Sequence, residues 1–245
     1  MKTSIDLNCD VGELDDINDM AFIPYVSSIN VCCGEHAGDP RNILAAIRAA
    51  KKYNVKVGAH PSYPDRINFG RKSMDISLDE LRATVHEQIM YIKQLCDQEE
   101  VPLHHVKPHG ALYHDVLVYK DRLDVLLDVM SEFSSGIKLY GFANTPFNNV
   151  IRQRGIHYVS EGFIDRRYAS STALVSRAVG GSVLSSWDEI MQQIDCLLDD
   201  HVMTHTGDRL EMTCDTLCVH SDTPYAAAWM TKILNHLNNR GVRIH

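Results

Sequence analysis

Ile29-Asn30-Val31-Cys32-Cys33-Gly34-Glu35-His36-Ala37-Gly38-Asp39-Pro40-Arg41-Asn42-Ile43-Leu44-Ala45-Ala46-Ile47-Arg48-Ala49-Ala50-Lys51-Lys52-Tyr53-Asn54-Val55-Lys56-Val57-Gly58-Ala59 contains two short β-like runs, Ile29–Cys33 and Val55–Ala59. Asp39-Pro40 between them supplies an N-cap and a first-turn proline. Ile43, Leu44, Ile47 and Ala50 then recur at helical spacing on one face. A strand, a helix and a strand in this order form the unit of a parallel α/β fold.

The same rhythm extends outward. Ile5–Cys9 alternates apolar and polar residues, as a strand does. Ser77-Leu78-Asp79-Glu80 is a capping box, followed by the apolar face Leu81, Val85, Ile89, Ile92 and Cys96. Strands are expected over Leu103–Lys107, Ile137–Phe142, Ile156–Val159 and Thr213–Val219, and helices over Leu123–Phe133 and Pro146–Arg154. Ser186-Trp187-Asp188-Glu189 opens another capped helix, with Ile190, Ile194, Leu197 and Leu198 on its apolar side. Thr223-Pro224 starts a last helix that stops before Gly241. Seven strand candidates fit either a closed (β/α) barrel or an open doubly wound sheet, and periodicity does not choose between them. No GxGxxG follows the first strand, which disfavours a dinucleotide fold.

Composition narrows the class. The 245 residues carry 24 Lys plus Arg against 32 Asp plus Glu, a formal charge of −8, with 44% hydrophobic and 23% charged residues. These are globular values, and they exclude disorder, collagen and coiled coil. One domain over residues 1–245 is expected. The acidic balance offers no footprint for nucleic acid. No apolar run is long enough for a signal peptide or a membrane span, so a cytoplasmic location is expected. Seven cysteines without a CxxC pair are read as reduced thiols.

Chemistry in parallel α/β folds collects at the C-terminal ends of strands. Here those ends hold Asn8-Cys9-Asp10 followed by Gly12-Glu13, then Glu35-His36, His60, Lys107-Pro108-His109, Glu161 through Asp165-Arg166, and His220-Ser221-Asp222. Four separate strand ends carry a histidine. Asp10, His60 and His109 form an N/O set suited either to a divalent metal with an open position or to hydrogen-bonding a substrate. Lys107 is a point charge for a carboxylate or phosphate. Cys32-Cys33 reads as a buried pair more readily than as a nucleophile. His86-Glu87 starts like HExxH, but Met90 follows where the second histidine belongs. Neither GxSxG nor a P-loop is present.

Ordered blocks then carry a family resemblance. Asp6-Leu7-Asn8-Cys9-Asp10-Val11-Gly12-Glu13 resembles the opening of the LamB/YcsF family, the A subunits of bacterial ATP-dependent 5-oxoprolinase. Ser28–Gly34, His36–Pro40, Gly58–Pro61 with Tyr63–Asp65, Phe69–Arg71, Val106–Tyr113, Glu161–Arg166 with Tyr168, and Cys218–His220 with Asp222–Pro224 match in the same order. The resemblance implies a distorted seven-stranded (β/α) barrel, akin to the polysaccharide-deacetylase-like barrels. It implies ATP-dependent hydrolysis of 5-oxo-L-proline to L-glutamate, with Mg²⁺-ATP as co-substrate and the B and C subunits of 5-oxoprolinase as partners. From the related deacetylases it implies a metal on Asp10, His60 and His109.

The catalytic candidates are therefore Asp10, His60, His109 and Lys107. The candidates for substrate contact are Asn8, His36, Glu161, Asp165, Arg166, His220 and Asp222. Departures from the family pattern are Leu14-Asp15-Asp16 in place of a longer loop, Glu35 for a Phe, Ser221 for a Gly and Ser171-Thr172 for Asp-Gly. Alternative functions are a stand-alone metal-dependent amide or N-acetyl hydrolase and a non-catalytic, diverged subunit.

Overall fold

The computed structural model describes residues 2–13, 17–133, 136–220 and 226–245, with the backbone alone described at 17–19 and 226–227. The chain runs β1 (Ser4–Val11), a 3-10 segment (Ile17–Tyr25), β2 (Ser28–Cys32), α1 (Pro40–Tyr53), β3 (Lys56–His60), α2 (Leu78–Gln98), β4 (Leu103–Val106), α3 (Gly110–Val118), α4 (Lys120–Ser131), β5 (Lys138–Phe142), α5 (Asn148–Gln153) and β6 (Tyr158–Phe163). It continues with the hairpin β7 (Tyr168–Ser170) and β8 (Ala173–Leu174), then α6 (Trp187–Leu198), the hairpin β9 (His201–Met203) and β10 (Arg209–Glu211), β11 (Thr216–His220), α7 (Ala226–Asn239) and β12 (Arg243–Ile244).

Strands β1 to β6 lie side by side in chain order, β11 follows β6, and β11 pairs back onto β1. All these pairings are parallel, which closes a seven-stranded barrel. The closing seam sets Asp10 opposite His220, and the other side of β1 sets Asp10 opposite Asn30. β12 adds to β1 outside the ring. Each of the seven strand candidates became a barrel strand. Among the described residues, no helix is long and apolar enough to cross a membrane.

The helix signals act as expected. Asp39 accepts from Arg41 N at the start of α1. Ser77 and Ser186 form complete capping boxes with Glu80 and Glu189. The start expected at Thr223-Pro224 lies outside the described residues. Helix α3 was not anticipated. Its run Gly110–Val118 is apolar nearly all round, with Ala111, Leu112, Tyr113 and Val116 buried, so it has no 3.6-residue stripe to read.

Alternation along β1 sorts the interior. Leu7, Cys9 and Val11 join the hydrophobic core, while Asp6, Asn8 and Asp10 bond across the barrel. Such interiors are ordinarily packed with branched apolar side chains; this one is a polar ladder. Asp6 accepts from Ser28, Thr216 and Tyr140. Asn30 donates to both Asn8 and Asp10, and its own carbonyl accepts from His105 Nε2 at 2.7 Å. Burial holds His105 well below the ordinary histidine value, so it enters the ladder neutral. Its ring stacks on Tyr140 at 3.9 Å.

Gly58 makes the space for that imidazole. A Cβ on Gly58 would stand 2.2 Å from His105 Nε2. Gly58→Ala is therefore expected to destabilise the fold by about 1–3 kcal/mol through overpacking. Gly58→Ala/His105→Ala should lose less than the sum of the two single changes in urea unfolding. Strict additivity would show that the close approach has no energetic weight.

Candidate active site and metal centre

The C-terminal ends of the barrel strands deliver five groups to one spot. β1 supplies Asp10 and, two residues beyond its end, Glu13. β3 ends in His60, and the turns after β2 and β4 supply His36 and His109. His60 Nε2 lies 3.4 Å from Asp10 Oδ2 and 3.6 Å from Glu13 Oε1. His109 Nδ1 lies 3.0 Å from His60 Nε2 and 3.1 Å from Glu13 Oε1. Ligand atoms of Asp10, Glu13, His60 and His109 all fall within 4.8 Å of one another.

The outward nitrogens fix the tautomers. His60 Nδ1 donates to Lys107 O at 2.6 Å and His109 Nε2 donates to Phe69 O at 2.9 Å. The Ser62 hydroxyl donates to Tyr63 O, so it accepts from His36 Nδ1 at 2.9 Å. In their neutral forms the inward nitrogens of all three rings are bare lone pairs, facing two carboxylates. A proton on His109, which Glu13 and Asp10 favour, or a metal ion satisfies such a set, and imidazoles whose far N–H is bound to a carbonyl are the usual support for a metal. A mixed Asp/Glu/His/His set fits zinc, iron or manganese. His36 stacks on His109 with ring centroids 3.9 Å apart and braces it from behind.

The loop that orients His109 is itself held. Phe69 adopts φ of 55°, and its carbonyl faces the His109 ring. Gly70 O accepts from Ala111 N, and a Cβ on Gly110 would stand 2.5 Å from that oxygen. Ser73 Oγ, Tyr63 Oη and Arg122 all bond to Asp115 below the loop.

Lys107 is buried in the floor, 3.0 Å from Asp10 Oδ1 and 2.8 Å from Glu161 Oε1. Burial opposes its charge, but Asp10 foremost and Glu161 after it hold the ammonium well above the ordinary lysine value. Burial likewise opposes the Asp10 charge, and His60, Lys107 and His220 outweigh it, so that the carboxyl stays well below its usual range. Glu13 is lowered too, by His109 and His36 against burial. On the far side His220 Nδ1 bonds to Asp165 at 3.0 Å and leaves Nε2 3.9 Å from Asp10 Oδ2.

A cavity of about 610 Å³ opens above this floor. Asp10, Glu13, His60, Lys107, His109, Arg166 and His220 line it, with Tyr113 and Phe163 among the walls. Asn8, His36, Glu161 and Asp165 are not on its surface. They lie buried behind it and hold Lys107, Glu13, Tyr113 and His220 in place. Asp222 lies outside the described residues, as do Ser221 and Leu14-Asp15-Asp16. Glu35 is exposed and lines no part of the cavity. Cys32 bonds to Gly12 O, and burial raises the Cys33 thiol far above its ordinary value, so neither is a nucleophile here. All seven cysteines are buried, and none is in a disulfide among the described residues.

Acid should loosen this floor in metal-free protein. Burial takes His36 down to about 4, against the opposing pull of Glu13. Between pH 6.5 and 4 the unfolded chain therefore binds a proton that the folded chain refuses, and stability rises with pH across that window. The full difference is about 3 kcal/mol for a shift from 6.5 to about 4. His109 acts in the opposite sense. Burial lowers it, but Glu13 and Asp10 raise it further, so its contribution is complete below pH 6.5 and fades as pH climbs through the raised value. Urea midpoints with a chelator present should fall from pH 6.5 to 4.5, and His36→Asn should flatten that fall. Equal slopes in parent and variant would remove His36 from the account.

The parallel seven-stranded (β/α) barrel is a fold found in other solved structures. A family 4 carbohydrate esterase from Streptomyces lividans shares it at TM-score 0.50 and 11% identity, covering 98% of this chain and 90% of that one. The particular family is closer. The LamB/YcsF family matches residues 5–245, and the chain belongs to it. The 5-oxoprolinase A subunit of Staphylococcus epidermidis is 35% identical over 249 residues, covering 100% of this chain and 99% of the relative. The lactam utilization protein of Thermus thermophilus superposes with TM-score 0.89 at 33% identity, over 99% of both chains.

Proposed function

We propose that this barrel is the ring-opening subunit of an ATP-dependent 5-oxoprolinase, converting 5-oxo-L-proline to L-glutamate with release of ADP and phosphate. The observation that carries the reading is the Asp10–Glu13–His60–His109 floor of a cavity large enough for the lactam. It stands in a chain that matches a 5-oxoprolinase A subunit over its whole length.

A five-membered lactam is a stable amide and a poor electrophile. Transfer of the terminal phosphoryl group of ATP to the lactam oxygen releases ADP. Water then adds at the ring carbon, and the C–N bond breaks as the nitrogen takes a proton to leave an acyl phosphate. A second water releases phosphate and leaves the carboxylate. Asp10, Glu13, His60 and His109 would hold a divalent ion, which when bound supplies Lewis-acid charge next to a carbonyl or phosphoryl oxygen. Lys107 stabilises the packed carboxylates and adds a fixed positive charge to the floor. His220, anchored by Asp165 through Nδ1, presents Nε2 to the cavity, where it would take a proton from the adding water and return it to the departing ring nitrogen. Phe163 stacks on the His220 ring, and Tyr113 lines the same cavity.

The relatives are named as one subunit of 5-oxoprolinase, which supports work in a complex, and we assign the partners as the B and C subunits. A second reading, amide hydrolysis without partners, is favoured by the metal-competent set alone. The test is 5-oxoproline-dependent ADP release with and without the B and C subunits. Turnover only in the complete mixture supports the first reading. Amide hydrolysis by the isolated chain, without ATP, supports the second.

A further inference from the structure

One row of interior residues ends on the metal-competent set. Register places Asp10 of β1 opposite Asn30 of β2, Asn30 opposite Gly58 of β3, and Gly58 opposite His105 of β4. Gly58 has no side chain, so the His105 imidazole passes over β3 and meets Asn30 two strands away. A Cβ on Gly58 would collide with the ring.

Every hydrogen bond in the row has one direction. The Asp10 carboxylate is ionised and only accepts, so the Asn30 atom 2.8 Å from Oδ1 is its amide nitrogen. The other amide hydrogen goes to Asn8 Oδ1 at 2.8 Å. The Asn30 carbonyl then faces His105, and the neutral ring carries its proton on Nε2. His105 Nδ1 is left as an acceptor, and His104 Nδ1 donates to it at 3.1 Å. His104 is half-buried and lowered to about 4, chiefly by burial, so it too is neutral. The donors run head to tail from His104 to Asp10, an arrangement in which each bond polarises the next.

This chain decides which Asp10 oxygen reaches the site. Oδ1 receives Asn30 at 2.8 Å and Lys107 at 3.0 Å. Oδ2 faces His60 Nε2 at 3.4 Å and His220 Nε2 at 3.9 Å. A flipped Asn30 amide would set its oxygen against Oδ1, and the His105 donor holds the Asn30 carbonyl on the other side.

We propose that Asn30 and His105 are positioning residues for Asp10: through Asn30, His105 commits Oδ1 to the barrel interior and leaves Oδ2 to serve the cation site. The proposal rests on Asp10 belonging to the cation-holding set and is independent of the substrate. Asp10 lines the cavity, whereas Asn30 and His105 lie behind it. A barrel interior is filled as well by branched apolar side chains, and buried polar groups cost stability unless all are bonded. The row is explained by what it does to its cavity end.

The test titrates metal-free full-length chain with Zn²⁺ and Mn²⁺ in competition with a chromophoric chelator. Parent, Asn30→Ala, His105→Met and His105→Gln are compared, each well below its melting temperature. Gln offers an amide N–H to Asn30; Met is of similar length and has no donor. Loss of an outer partner of a metal ligand costs about 10–100-fold in affinity. That loss is expected in Asn30→Ala and His105→Met, and His105→Gln should recover most of it. Should His105→Met not fold, Asn30→Ala must show the loss and His105→Gln must not. Lower melting temperatures with unchanged affinity, or equal losses in His105→Gln and His105→Met, overturn the proposal. A parent that binds neither ion overturns it together with the cation-holding set. The expected affinities without 5-oxoproline turnover in the complete complex remove the lactam reading and keep the positioning role.

Discussion

Replacing His60 or Asp10 by alanine should lower 5-oxoproline-dependent ATP hydrolysis in the complete enzyme by at least about 10²–10⁴-fold, the range for losing one acid–base group. Both side chains face the cavity floor, and both belong to the four-residue set that converges within 4.8 Å. The His60 change should leave the fold in place, because the ring bonds to Lys107 O and to site residues and lies outside the hydrophobic core. Asp10→Asn serves as the milder companion to Asp10→Ala, since it keeps the acceptor for Asn30. Rates for both alanine variants within a factor of two of the parent, at normal melting temperature, would refute the site. A parent that is inactive toward 5-oxoproline with active partners would instead point to another lactam or to lost chemistry.

The second large effect is on stability. Lys107 is the cation between two buried carboxylates, Asp10 and Glu161. Breaking a buried pair by removing one partner costs about 3–5 kcal/mol. For a chain of this size that is roughly 6–20 °C in melting temperature, at about 2–4 °C per kcal/mol. Lys107→Met is expected to fall in that range, and adding Glu161→Gln should recover a large part of the loss. A Lys107→Met protein that melts within 2 °C of the parent would mean the floor charges are compensated elsewhere.

The strands were legible because each is a short run, apolar or alternating, bounded by turn residues. The closure was not legible in periodicity, and only the family resemblance implied it. It depends on β11 returning to β1, and no local period records a partner two hundred residues away. Polar residues on β1 were legible as one face of a strand, but the face they occupy is the barrel interior, where Asn8, Asn30 and His105 satisfy one another.

The strand-end rule located Asp10, His60, Lys107, His109 and His220 together. It missed Glu13 as a member of the set. That carboxylate follows Asp10 by three positions, through Gly12 at φ 79°, and only this turn aims it back at the histidines. The signal was its place in the Asp10-Val11-Gly12-Glu13 block; spacing alone assigns it nothing. His36 stood at an equivalent strand end, yet its ring bonds to Ser62 and stacks behind His109, because the loop turns it inward. Phe69, whose carbonyl orients His109, offers no side-chain signal at all.

The most direct measurement of the central claim is divalent metal per chain after loading and exhaustive dialysis, read by elemental analysis for the parent, Glu13→Gln, His60→Ala and His109→Ala. One tightly held ion in the parent and its loss from each histidine variant, with weakened retention in Glu13→Gln, is the predicted result. A parent that retains no ion, or variants that retain it as the parent does, would contradict the assignment of Asp10, Glu13, His60 and His109 as one cation-holding set.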